Sequence, residues 1–161
     1  MSEFKSTPTE NGANLRLAFA GTIDEDVEFP AIEAGKYQSI TLDLSAIKAI
    51  NSVGFREWLN WIRPLAEKSD FVLENCPKAM VFQFNMVEGF LPPRSKVASF
   101  FVPFYSEGED KEANVLFTVG KEVTANGGSV SINYDPKAAG MPDDMEMDVT
   151  ESKYFQFLKA K

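Results

Sequence analysis

Gln38-Ser-Ile-Thr-Leu-Asp-Leu44, followed shortly by Phe55-Arg-Glu-Trp-Leu-Asn-Trp-Ile62, decides the fold class. In the first run Ile40, Leu42 and Leu44 alternate with Ser39, Thr41 and Asp43, the period-two pattern of a half-buried strand. In the second, Phe55, Trp58, Leu59 and Ile62 recur at helical spacing with Arg56, Asn60 and Arg63 opposite, and Pro64 marks the approaching end. The segment between them reads as a loop ending Ala49-Ile-Asn-Ser-Val-Gly54, which sets the Ser52 hydroxyl at the exposed start of the helix.

Outward from this unit, the 161-residue chain has room for one ordinary domain or a small domain with an appendage. Hydrophobic content of 44% with 14 Phe supplies a core, so a folded protein is expected. A formal charge of −8 argues against nucleic-acid and anionic-membrane partners, which need a basic surface. No apolar run approaches the roughly 18 residues of a membrane span, and Met1 to Glu10 has no apolar signal-peptide core. One cysteine, Cys76, cannot form an internal disulfide and is expected as a small buried hydrophobe. A cytoplasmic location is the expectation. The chain has no histidine, which removes Ser-His and Cys-His nucleophile pairs, imidazole bases and histidine metal ligands. The expectation is a non-catalytic module without cofactor.

Residues 1–13 are polar and turn-rich and read as a flexible tail. Asn14 to Phe19 alternates as a strand, Gly21 interrupts it, and Asp24 to Glu28 is an acidic surface loop. Asp70 to Glu74 is a further buried strand, and Asn75-Cys-Pro77 precedes a helix over Lys78 to Phe90 with Gly89 as a stop. That helix carries Met80, Phe84, Val87 and Leu91 at helical spacing and Val81, Phe82 and Met86 on other faces, read mainly as core, with an apolar partner-binding strip as the alternative. Val97 to Tyr105 is one β-like run, and strands alternating with helices imply an α/β sheet with some parallel pairing. Beyond Phe104 the pattern changes: a charged stretch, a strand over Asn114 to Val119, a hairpin turn at Ala125-Asn-Gly-Gly128, and a helical end from Glu151 to Lys159.

Three motifs over residues 14–104 together resemble a STAS domain, the module of bacterial anti-sigma factor antagonists that also occurs in sulfate transporters and lipid-transport complexes. They are Gly21-Thr-Ile-Asp24, similar to the family's G-x-L-D; Leu42-Asp-Leu-Ser45; and Asn51-Ser-Val-Gly54, similar to its D-S-x-G. The resemblance implies a mixed sheet packed on one side by helices. It implies that Ser52 is the position phosphorylated by a partner anti-sigma kinase, with Asn51, Gly54, Asp24 and Arg56 around it. A phosphate there would meet unsatisfied helix N–H groups, and Arg56 one turn on could pair with it. Asn51 stands where the family has aspartate, leaving Asp24 as the remaining nearby carboxylate. Read from the residues alone, Ser52 is equally placed as an ordinary N-cap, and Asp24 and Asp43 as local turn or strand-edge acceptors.

The C-terminal residues 105–161 resemble a zinc ribbon appended to certain bacterial STAS-like proteins, through Pro103-Phe-Tyr-Ser-Glu-Gly-Glu109, Asp135-Pro-Lys-Ala138 and Lys153-Tyr-Phe-Gln-Phe157. The positions of its cysteine pairs hold Ser106 and Glu109, then Asp135 and Ala138, so no zinc is expected. Cohesion must then come from Phe117, Tyr134, Tyr154, Phe155 and Leu158. The resemblance implies a regulatory module binding an anti-sigma factor or related signalling kinase, of undetermined oligomeric state. The alternative is a scaffold or small-ligand-binding subunit of a transport or envelope complex, in which Ser52 only caps the helix.

Overall fold

The computed structural model describes residues 4–87, 90–126 and 128–159. Five strands, β1 (Lys5–Asn11), β2 (Asn14–Ile23), β3 (Ser39–Ile50), β4 (Asp70–Glu74) and β5 (Ser95–Val97), lie side by side in chain order. β1 runs antiparallel to β2, and the other neighbours are parallel. Parallel neighbours need crossovers, supplied by α1 (Ser52–Ala66) between β3 and β4 and α2 (Lys78–Met86) between β4 and β5. The molecule is therefore an α/β protein built on a mixed sheet.

The tail expected over residues 1–13 is instead an edge strand along Lys5–Asn11. Its own apolar content is nearly nil, which hid it. It is held by its ladder to β2, by a hydrogen bond from the Tyr37 hydroxyl to Glu10, and by Phe4 packing on Phe19 and Phe29.

β3 also outruns its expected end at Leu44. Opposite β2 the register slips twice: Ala18 faces Asp43 but Ala20 faces Ala46, and Gly21 faces Ile47 but Thr22 faces Ala49. Each slip adds one residue to β3, so the buried row Ile40, Leu42, Leu44 resumes at Ile47, on the opposite parity. An alternation broken in this way imitates a loop. The strand runs almost directly into α1, which presents Trp58, Ile62 and Leu65 to the core. Trp61 meets Phe19 of β2 and Phe71 of β4, and Trp58 stacks on Phe90 while donating from Nε1 to its carbonyl at 3.2 Å.

The remaining residues form β6 (Ser99–Ser106), β7 (Lys111–Thr118), β8 (Val123–Asn126), β9 (Ser129–Ile132), β10 (Glu146–Met147), α3 (Glu151–Tyr154) and α4 (Gln156–Lys159). β6 is flanked by β10 and β7 in one small sheet, and β8 and β9 make a hairpin. The expected run from Val97 to Tyr105 is two strands in different sheets, divided at Ala98, so the boundary expected at residue 104 falls inside β6. The two parts pack directly on each other. Cys76 bridges to Phe100, the Phe101 N–H donates to the Cys76 carbonyl at 2.8 Å, and buried residues of both sheets form one cluster. Phe117, Tyr154 and Phe155 are buried in it, while Tyr134 and Leu158 are half-buried against it. Gly89, expected as a helix stop, and Gly127 of the expected turn lie outside the described residues.

Residues of opposite parity to the buried rows carry an ionic ladder. Arg16 of β2 pairs with Asp43 of β3 at 3.3 Å and with Glu74 of β4. Asp43 Oδ1 accepts from Asn75 Nδ2 and from the Ser45 N–H, each at 3.1 Å. Partial burial would raise the Asp43 pKa, but these hydrogen bonds and the Arg16 charge outweigh it, and the net shift is downward. A lowered folded-state pKa means stability that is present above the unfolded value of about 3.9 and lost as pH falls through the folded one. Asp43→Asn should therefore cost about 1 kcal/mol at neutral pH and flatten the stability profile below about pH 4. Urea titrations of both proteins at a series of acidic pH values measure this; parallel profiles would refute it.

Candidate functional site

The ends of β2 and β3 and the start of α1 meet at one corner. The Asn51 N–H donates to the Ile23 carbonyl at 3.0 Å, tying the two strand ends together. Asn51 has extended φ/ψ, and its Oδ1 accepts from the Gly54 N–H at 2.8 Å. Asn51, not Ser52, is thus the N-cap of α1. The sequence offered two adjacent residues of comparable capping preference, and the backbone decides between them, because Ser52 already has helical geometry.

Gly54 is buried where the first turn crosses the end of β2. A Cβ there would lie 2.0 Å from the Ile23 carbonyl oxygen and 2.7 Å from the Asp24 nitrogen. The glycine is required by backbone packing against Gly21-Thr-Ile-Asp24, so two of the quoted motifs are two sides of one contact.

The other end of the Asn51 side chain explains its identity. Nδ2 donates to Glu25 Oε1 at 2.9 Å. An aspartate at this position has no donor and would set two carboxylates against each other. Hydrogen bonds from its own backbone and from Asn51 hold the Glu25 carboxyl below its ordinary pKa. α1 has no acidic residue in its first turn, and Glu25 brings negative charge to that end from outside the helix. Glu25 was not singled out in the sequence; the signal was an amide donor beside an acidic loop. Asp24 Oδ1 accepts from the Asp26 N–H at 2.9 Å and shapes the turn that presents Glu25. That loop is fastened to α1 by Phe29 stacking on Trp61 and by Trp61 Nε1 donating to the Pro30 carbonyl at 2.8 Å.

Ser52 sits on this fixed corner with its side chain exposed. Among the described residues its hydroxyl has no hydrogen-bond partner. Arg56, one turn along, is exposed and likewise has no ion-pair or hydrogen-bond partner among the described residues. The structure therefore gathers Asp24, Asn51, Ser52 and Gly54, adds Glu25, and leaves Arg56 one turn away.

The four ribbon-like positions fare differently. Ser106 is fully buried, donates to Asp144 Oδ1 and accepts from the Glu109 N–H at 3.2 Å. Asp144 Oδ2 accepts from the Gly108 N–H at 2.7 Å, and these bonds, led by the one from Ser106, hold its carboxyl below the usual range. A serine and a carboxylate clamp this turn. Asp135 instead accepts from the Lys137 N–H at 3.0 Å in a turn of its own, with exposed Ala138 beside it. Among the described residues no group of three or more Cys, Asp or Glu is placed to hold a metal ion.

No protein-family model matches the chain, and no curated protein matches it. Among the described residues no helix is long and apolar enough to cross a membrane.

Proposed function

We propose that the chain is a non-catalytic, STAS-like regulatory module of the cytoplasm. In this reading it binds a protein partner of the anti-sigma factor or signalling-kinase class through the corner around Ser52. The observation that carries the reading is the division of labour between neighbours: Asn51 performs the capping, and the Ser52 hydroxyl is exposed, with no hydrogen-bond partner among the described residues. The capping role that the scaffold alternative gave to Ser52 falls to Asn51. Further support comes from the serine's place, on the helix that follows the central strand of a mixed sheet. A phosphoryl group on Ser52 would find unsatisfied N–H groups of the first helical turn and the Arg56 guanidinium one turn on. It would also stand near Glu25, so modification would change the charge and the hydrogen bonding of the whole corner.

Capping and recognition separate cleanly by mutation. Asn51→Ala should cost about 1 kcal/mol of stability, whereas Ser52→Ala should stay within about 0.5 kcal/mol. Incubation with ATP and cytosol of the source organism, followed by peptide mass spectrometry, should place one phosphoryl group on Ser52. Ser52→Asp should release a partner that the unmodified protein retains on a column. An unmodified Ser52 together with undiminished partner retention by Ser52→Asp would overturn the proposal.

A further inference from the structure

A second surface lies on the other helix, away from the Ser52 corner in sequence. α2 carries two large apolar side chains at i and i+4 that the core does not take: Phe82, 42% exposed, and Met86, 80% exposed. Beside them runs an apolar groove of about 340 Å³, walled by Phe82 and Met86 on one side and by Val149 and Tyr154 on the other.

The groove is built rather than incidental. Asn85 fastens its two walls, donating from Nδ2 to the Tyr154 carbonyl at 2.9 Å and accepting at Oδ1 from the Phe157 N–H at 2.8 Å. The Tyr154 hydroxyl donates to the Phe101 carbonyl at 2.6 Å, and burial pushes its pKa far up, so this wall stays neutral and fixed. Phe82 meets the Tyr154 ring edge-on at 6.2 Å, with the Lys78 ammonium 5.4 Å from its own ring centre. Phe82 is therefore held in place although much of it is in water.

The charge of the groove departs from that of the molecule. The whole chain carries −8, yet the charged residues lining the groove are Lys78 and Lys153 against Asp148 alone. A second copy of this acidic chain would approach against long-range repulsion, whereas a segment with carboxylates beside its apolar residues would meet two ammonium groups. From the paired apolar residues, the fastened walls and the lysine rim, we infer that this groove is a docking site for an acidic amphipathic segment of a partner protein. The segment's apolar side chains lie between Phe82, Met86 and Val149, and its carboxylates face Lys78 and Lys153. This surface does not depend on Ser52.

A random dodecapeptide library displayed on phage and panned on the full chain tests the inference. Peptides combining apolar and acidic residues should be enriched. As synthetic peptides they should bind about tenfold more weakly to Met86→Asp and to Lys153→Glu and equally well to Ser52→Ala. Met86 is exposed, so Met86→Asp should keep its fold, which circular dichroism checks. No enrichment, enrichment of basic or uncharged peptides, or unchanged binding by Met86→Asp would overturn it. So would a concentration-dependent dimer in sedimentation that Met86→Asp abolishes, because the groove's occupant would then be a second copy.

Discussion

Gly54→Ala should destabilise the protein by about 3 kcal/mol, with a urea midpoint lowered by about 1.5 M for a domain of this size. The single added methyl group would stand 2.0 Å from the Ile23 carbonyl oxygen and 2.3 Å from the carbonyl carbon. Both are backbone atoms, so no flexible side chain can swing aside. Relief requires the first turn of α1 to retreat from the end of β2, which strains the Asn51 N–H bond to the Ile23 carbonyl and the Asn51 bond to Glu25. Gly128→Ala is the matching control, since a Cβ there meets nothing within 4 Å. It should stay within about 0.5 kcal/mol. Equal effects at the two glycines would mean that the close approach is not what Gly54 serves.

Phe100→Ala should cost about 4 kcal/mol, and the loss should be felt by the whole molecule at once. The ring is fully buried where the two sheets meet and packs 5.1 Å from Phe157, 5.7 Å from Phe155 and 6.2 Å from Phe117, centre to centre. Its backbone bridges to Cys76 at the end of β4. Removing it leaves a cavity lined by other rings held in edge-on and tilted pairs, which collapse poorly because each is fixed by its neighbours. With one shared core, tryptophan fluorescence from α1 and near-ultraviolet tyrosine signals from beyond β6 should change at the same denaturant concentration in wild type and variant. Two separated transitions would show that the C-terminal part is an independent unit.

The central strand and α1 were legible because each keeps one period for long enough, from Ile40 to Leu44 and from Phe55 to Ile62. The last six residues of β3 were not. The first of its two register slips moves burial from even positions to odd Ile47, and no local rule anticipates a slip that depends on the neighbouring strand. β1 was hidden for a different reason: an edge strand with polar residues and Pro8 gains its order from β2, not from its own sequence. The switch of sheets at Ala98 left no mark, because Ser95–Val97 and Ser99–Ser106 are equally β-like. At the corner, Asp24, Asn51, Ser52 and Gly54 could be picked out by motif, while the choice of cap and the part played by Glu25 depend on how two loops meet.

Cys76 turns the meeting of the sheets into a built-in clock. Its thiol is fully buried, and burial, reinforced by the charges of Glu74 and Asp43, pushes its pKa well up. The thiolate is the nucleophile that attacks an alkylating reagent, so the native molecule offers such a reagent neither access nor the reactive form. Labelling then reports how often β4 and β6 part company, and one sulfur atom times the opening of the seam without any added probe.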